Sequence, residues 1–515
     1  MLYHESISMS EPANGAVTFA SFGETRRKTS SVLSFPSTFS IAFLLILGLT
    51  GLVNIPTFGF DYPDDAFYVE AAHLWTRGLP PYIATFDVKA PGFFAILAFA
   101  ESLLGPTLAT LKIVGIVASA VAATLLYCIV EKYDRPAAIV CAILYPILTA
   151  ILGDEPNQVI NAVLIFAFSI GFWERSDRIK WAYCGLAIGA ACMIKQTCAI
   201  DALALIFIIA TWEPNATERF RSLAAFVASA AITPLLVLGY YVFQGGAAAL
   251  IHDVVVTALH RDDALSIGTM TDSLLELFFP IVLLVIVFSA ALIDRKKIED
   301  KFPIRIAMIW FAFELASIVV QRAAYLTYVM PLIAPTLLIS AIYVSEYYAQ
   351  RRPGRRWVSM AVFGMLVVGG AMLGHGDAML LRMTGVDKDV LEQARVLVNA
   401  AHPQSDDRLF VVNGPVWMNL VTHLDPPTPY FHREHTMCDF AGAGLPALVG
   451  NFEAKPRFIV FENPDRRLSC EPGAYANAIT SALAANYRLI ATAKSARSTF
   501  QIFESTAIRA SSPRS

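Results

Sequence analysis

The sequence predicts an α-helical polytopic membrane protein of about eleven spans plus interfacial helices, followed by a small C-terminal α/β domain. Three observations predict this class. Hydrophobic residues make up 56% of the 515-residue chain and charged residues only 16%, against about 25% charged in ordinary soluble domains. Uncharged runs near the ~20 residues needed to cross a bilayer recur along most of the chain. After about residue 377 the apolar runs shorten to strand length and alternate with helix-like stretches. The net charge of −3 gives no basic footprint for nucleic acid.

Residues 1–38 are polar, carry Arg26, Arg27 and Lys28, and are expected to form a cytoplasmic N-terminal tail. The apolar run behind them lacks a small-residue cleavage site, so it reads as an uncleaved first span. The candidate spans are 39–58, 107–130, 136–152, 157–173, 181–194, 197–211, 222–243, 273–293, 304–320, 325–346 and 357–375. A further run, 91–105, is short and contains Glu101. The positive-inside rule decides how to treat it. If 91–105 lies in the interface without crossing, nineteen loop cations fall on one side and six on the other. If it crosses, the later loops swap sides and the bias reverses. The first topology puts the nineteen in the cytoplasm and everything after 376 outside, as expected of a bacterial inner membrane protein with a periplasmic tail. The expected organisation is thus 1–38 tail, 39–376 membrane domain, 377–507 periplasmic α/β domain and 508–515 disordered end.

In the tail, strand-like runs lie at 408–413, 457–461, 487–493 and 499–503, with helix-like stretches at 389–401 and 475–487. Cys438 and Cys470 are the tail's two cysteines; in an oxidising compartment they either pair or stay free. Elsewhere no cysteine or histidine pattern has zinc spacing.

Polar groups that membrane packing does not need gather at the outer span mouths. The first outer loop opens with Phe60-Asp61-Tyr62-Pro63-Asp64-Asp65-Ala66-Phe67-Tyr68. A proline followed by two carboxylates is a helix start. The segment behind it reads as an amphipathic helix lying on the bilayer, anchored by Trp75. Tyr68 sits four residues after Asp64, on the same face. Leu79-Pro80-Pro81-Tyr82 breaks the helix, and Lys89 follows. The next outer loops carry Asp154-Glu155 and then Lys195-Gln196, a later one holds His252 and His260, and Arg322 and Tyr325 stand near the last spans. A carboxylate and an ammonium at one membrane mouth suit sugar transfer from a lipid phosphate. A base takes the acceptor proton while cations hold the departing phosphate. Composition alone also fits an acidic helix cap on a solvated loop. Asp201 and Glu314 are acids inside apolar runs, a site signal or a hydrogen-bonded helix contact.

In order, YPDDAFYVEAA, GLPPY, DVKAPG, GDEPN, GLAIGAACMIKQT and QRAAYLTYVMPLIAP resemble the membrane-embedded C-type glycosyltransferases, in particular bacterial relatives of protein O-mannosyltransferase and of the aminoarabinose lipid A transferase. The resemblance covers roughly 40–345. It implies an inverting glycosyltransferase that moves a sugar from a polyprenyl-phosphate donor to an extracytoplasmic acceptor, whether lipid A or core, polysaccharide or protein. It makes Asp64 the catalytic base with Asp65 beside it, where the family usually has Glu. It assigns Lys89 (Lys-Ala-Pro here, Lys-Pro-Pro in the family), Lys195 and Arg322 to the donor phosphate. Asp61, Tyr68, Tyr82, Asp154, Glu155 and Tyr325 would line the substrate cavity. Some members use a divalent metal and others do not; Mg²⁺ or Mn²⁺ would take oxygens of Asp64, Asp154 and Glu155. The rival readings are a glycan or lipid transporter, which would favour internal repeats, and a glycan polymerase.

Overall fold

In the computed structural model the described residues are 35–55, 63–171, 178–213, 215–259, 302–321, 326–351, 387–412, 414, 416–432, 435–436, 444–462, 472–494 and 499–507. The predicted spans at 273–293 and 357–375 lie outside them, as do Cys438 and Cys470.

Helices dominate the first part of the chain: α1 (Phe35–Asn54), α2 (Pro63–Thr76), α3 (Gly92–Leu104), α4 (Leu108–Glu131), α5 (Arg135–Leu152), α6 (Glu155–Gly171), α7 (Arg178–Cys192), α8 (Ala199–Trp212) and α9 (Ala216–Phe243). A short α10 (Ala247–Ile251) runs into a π-turn at His252–Thr257; α11 (Phe302–Val320) and α12 (Met330–Arg351) follow. Among the described residues, three helices are long and apolar enough to cross a membrane: Leu108–Glu131, Arg135–Leu152 and Ala216–Phe243. At about 1.5 Å per residue, the 24 residues of α4 outreach the ~30 Å hydrocarbon core. α1, with 20 residues and no charged side chain, is comparable in length; the remaining apolar helices are shorter or carry charge.

Elementary signals set the helix ends. Thr107 caps α4 by accepting from Thr110 N, and Asp134 caps α5 by accepting from Ala137 N, each satisfying an orphan N–H. Gly153 closes α5 in the left-handed conformation, which glycine adopts without cost. The α7–α9 seam depends on small residues. A Cβ on Gly185 would collide with the Phe226 carbonyl, and one on Gly189 with the Ala230 carbonyl. The two glycines are one turn apart, so the helix backbones can approach closely.

The run 91–105 leaves and returns to the same end of the molecule. Lys89 before it contacts Asp64, and Lys112 after it contacts Asp65. Those two carboxylates are adjacent on α2, so the intervening α3 folds back beside α2 without spanning the bundle. Its 13 residues reach only about 20 Å.

α2 differs from the expected bilayer-surface helix. Ala66, Phe67, Tyr68, Val69, Glu70, Ala71, Ala72 and Leu74 are all buried. Bundle helices cover one side and the tail covers another. Trp75 is half-buried, and its Nε1 donates to Tyr240 Oη at 3.0 Å.

The tail comprises α13 (Asp387–Ala401), β1 (Leu409–Val412), α14 (Trp417–Thr422), α15 (Gly444–Glu453), β2 (Phe458–Glu462), α16 (Pro472–Asn486), β3 (Tyr487–Lys494) and β4 (Thr499–Ser505). The sheet order is β1-β2-β4-β3, with β1 and β2 parallel and the other pairs antiparallel. Strand alternation sorts its two faces. Phe410, Val412 and Ile459 join α15 and α16 in one core. Leu409, Val411, Phe458 and Val460 face the other way, into the core that includes Trp417 and Met418 of α14 and continues into the bundle. α14 touches α2, so the sheet is coupled to the helix that opens the acidic loop.

Candidate active site

Asp64 and Asp65 start α2, where carboxylates are favoured by the helix dipole. Successive helical residues point about 100° apart, and the two carboxylates have different surroundings. Asp64 Oδ2 accepts from Tyr68 Oη at 3.0 Å and from Lys89 Nζ at 3.3 Å. Its side chain is 34% exposed and that of Lys89 39%, so both remain accessible. Burial pushes the Asp64 carboxyl up, but Lys89, His432 and the Tyr68 hydrogen bond outweigh it and hold it below the usual range. Lys89 is shaped by the reverse balance. Burial lowers it, yet Asp87, Tyr68 and Asp64 together raise it, so it stays an ammonium.

Asp65 turns into the bundle. Its Oδ2 meets Lys112 Nζ at 2.8 Å, and the same nitrogen reaches Glu155 Oε1 at 2.7 Å, with all three side chains nearly fully buried. Burial and repulsion from Glu155 push Asp65 up against the pull of Lys112. Gly115, one turn after Lys112, has no side chain where a Cβ would collide with Gln158 and Glu155. That gap lets α6 bring Glu155 against α4.

Tyr82, at φ 65°, sits at the bend that turns the loop back; its hydroxyl donates to the Lys89 carbonyl, and its ring packs on Tyr241. Asp87 Oδ1 accepts from Lys89 N at 3.1 Å. These contacts fix the backbone on which Lys89 stands. The Lys195 segment approaches from α7. Lys195 Nζ donates to Asn157 Oδ1 at 3.3 Å and lies 4.0 Å from the Tyr328 ring centre. Asn157 Nδ2 donates to Asp154 Oδ2 at 3.0 Å. Burial lowers Lys195, with Asp154 opposing, and raises Asp154, with Asn157 and Lys195 opposing. Lys89 acts on both groups, so both cations and Asp154 share one field. Gln196 Nε2 donates to the carbonyls of Val88 and Val254, tying the Lys89 loop to the π-turn.

The structure therefore brings together Asp64, Tyr68, Tyr82, Lys89, Asp154 and Lys195, and sets Asp65 and Glu155 beneath them around Lys112. Asp61, Arg322 and Tyr325 lie outside the described residues. Lys112 was legible only as an outer-loop cation; a lone lysine in a long apolar helix was the available signal. His432 of the tail, whose Nε2 stands 3.5 Å from Asp64 Oδ1, carried no sequence signal. The acids inside the bundle pair with each other: Asp201 hydrogen-bonds Glu314, which also accepts from Trp310 Nε1 at 3.1 Å.

The metal set considered from sequence does not assemble. Asp64 is engaged by Lys89 and Tyr68, and Glu155 by Lys112. Among the described residues no three His, Cys, Asp or Glu side chains come together as ligands.

Residues 88–238 match the family model of dolichyl-phosphate-mannose-protein mannosyltransferases. The whole fold is similar to ArnT from Cupriavidus metallidurans bound to undecaprenyl phosphate, with TM-score 0.56 and 11% identity over 92% of this chain and 98% of that one. The apo state of that ArnT gives TM-score 0.56 and 12% identity over 94% and 99%. The archaeal oligosaccharyltransferase AglB from Archaeoglobus fulgidus, in complex with an inhibitory peptide and a dolichol-phosphate, gives TM-score 0.50 and 11% identity over 93% and 75%. No curated protein matches the sequence. The fold is thus similar to that of these membrane proteins, and the match at residues 88–238 agrees with the resemblance read from the loop motifs.

Proposed function

We propose that the protein is an inverting glycosyltransferase that takes a sugar from a polyprenyl-phosphate donor and passes it to an acceptor hydroxyl outside the cytoplasm. One observation carries this reading: the Asp64 carboxylate and the Lys89 ammonium group sit 3.3 Å apart with both side chains part-exposed. Asp64 acts as general base. Its proximity to Lys89 keeps it deprotonated before the acceptor binds. As the acceptor oxygen attacks the anomeric carbon, its proton passes to Asp64 and the bond to phosphate breaks on the opposite face. Lys89 then exchanges the carboxylate, neutral after taking the proton, for the dianionic phosphate. Lys195 adds a second positive group on the same side. Asp65 contributes by position, anchoring the first turn of α2 to α4 and α6 through Lys112.

In this reading the tail lies in the periplasm and the membrane is a bacterial inner membrane, as the cation asymmetry suggests. The partners are the donor lipid, the surrounding membrane lipids and a glycan, glycolipid or protein acceptor. The chemistry of the site requires no metal: Lys89 and Lys195 supply charge to a monophosphate leaving group. The pairing of Asp64 with Lys89 favours this reading over a transporter.

The test is mass spectrometry of surface glycolipids, polysaccharides and glycoproteins from cells with the protein, without it, and with Asp64→Asn. The reading expects one glycan product to lose a sugar in both altered strains. Identical glycan profiles in all three would overturn it.

A further inference from the structure

The tail reaches the candidate base directly. From α14 the chain runs through residues 425–432, a strap laid over α2 and the Lys89 loop. Arg77 forms a bidentate ion pair with Asp425 at one end. Phe86 N donates to the Pro429 carbonyl at 3.0 Å, and the Phe86 ring stacks on Tyr430 at 4.7 Å. Phe431 and His432 then close on Phe67, with ring centres 5.4 and 4.9 Å away.

Prolines and hydrogen bonds hold the strap in its docked course. Pro426, Pro427 and Pro429 restrict its backbone. Buried Asn451 of α15 donates to the Tyr430 carbonyl and accepts from Thr428 Oγ1 at 2.8 Å. Beyond the strap, His435 N and Thr436 N both donate to the His432 carbonyl. A preorganised segment places its side chain without a large ordering cost. The side chain so placed is His432, 4% exposed, facing Asp64 Oδ1 at 3.5 Å. The two oxygens of Asp64 are thereby divided. Oδ2 is held by Tyr68 and Lys89, and Oδ1 faces the tail.

We propose that the tail completes the active site, with His432 as the positioning residue that orients Asp64 Oδ1 toward the acceptor hydroxyl. This rests on the reading of Asp64 as the base. The 3.5 Å contact is longer than a tight hydrogen bond, as catalytic contacts often are before substrate binds; it shortens when the acceptor settles. The buried imidazole acts through the carboxylate and leaves the open side of Asp64 to the acceptor. The tail therefore sets the rate of the chemical step, while donor phosphate remains with Lys89 and Lys195.

The experiment uses full-length protein in membranes, lipid extract of the deletion strain as donor and deletion-strain envelopes as acceptor. Initial rates are measured for the parent, Asp64→Asn, His432→Ala, His432→Gln and Tyr430→Ala, with limited proteolysis reporting tail docking. His432→Ala is expected to lower the maximal rate at least tenfold with the donor half-saturation unchanged within twofold. His432→Gln keeps an N–H donor and should recover much of that loss. Tyr430→Ala should loosen the strap with a smaller loss of rate. An unchanged maximal rate in His432→Ala would overturn the proposal, as would a loss confined to donor half-saturation. Equal loss of a protease-resistant tail in both His432 variants would also overturn it, because the residue would then serve packing alone. Wild-type transfer by Asp64→Asn would instead sink the glycosyltransferase reading beneath it.

Discussion

Asp64 and Asp65 follow one another on the first turn of α2, and helix geometry leaves one part-exposed and buries the other in the bundle. Their surroundings separate their chemistry. Cations and a hydroxyl around Asp64 favour the carboxylate, whereas burial beside Glu155 disfavours it at Asp65. Environments that push two carboxyls apart assign them different roles. Lys112 is the counterweight. Its removal leaves two buried acids without a cation, a loss of about 3–5 kcal/mol. Lys112→Met should therefore lower the thermal midpoint of the detergent-purified protein by many degrees, with Lys112→Arg retaining part of the stability; an unchanged midpoint would contradict the triad. Glu70, buried on the same helix, offers a pH test. Burial, then Asp425, pushes its carboxyl up to about 8, with Arg77 opposing. The folded state thus holds a proton that the unfolded chain loses above about pH 4.5. Stability falls as pH rises from there to about 8, by roughly 1.4 kcal/mol per pH unit. Glu70→Gln should match the parent near pH 5 and exceed it at pH 8. Melting curves at both pH values check this, and an equal pH dependence in the two proteins counts against it. Asp64, Tyr68 and Lys89 were legible in the sequence because spacing and a family pattern both mark them. His432 was not, since a contact between distant segments leaves no local trace.

At the scale of elements, the site depends on backbones that approach closely. Gly115 admits Glu155, Gly185 and Gly189 seat α7 on α9, and Gly92 starts α3 where a Cβ would collide with the Met193 carbonyl. A carbonyl cannot rotate aside as a side chain can. Gly189→Val is therefore expected to force α7 and α9 apart, costing at least the ~1–3 kcal/mol of overpacking. The readout is membrane abundance and thermal midpoint, both falling; wild-type values would show that the seam tolerates bulk. The sequence marked α2 correctly as a helix and misjudged its setting. An apolar stripe with an interfacial tryptophan looks the same whether bilayer or protein covers it. Here α3, the bundle and the tail cover it. The short run 91–105 was read as non-crossing through charge asymmetry; both its flanks return to neighbouring residues of α2.

For the whole molecule, the tail sheet and the helix bundle are joined through one core. The inner face of β1 and β2 rests on α14, α14 on α2, and α2 carries the candidate base. Strand positions in the tail were legible from short apolar runs, since β1 to β4 fall on the four predicted stretches. Their order in the sheet, and the strap that leaves it, were not, because pairing between strands is set by tertiary contacts. The full-length likeness to ArnT at 11% identity shows how little of the fold depends on particular residues. The residues that matter individually are concentrated around the first turn of α2. The most direct measurement uses purified Asp64→Asn, comparing binding of undecaprenyl phosphate with sugar transfer from the deletion-strain lipid extract. The account predicts binding within a few-fold of the parent and transfer reduced by about a hundredfold or more, the range of a lost general base. Transfer at the parental rate, with the asparagine in place, would contradict it.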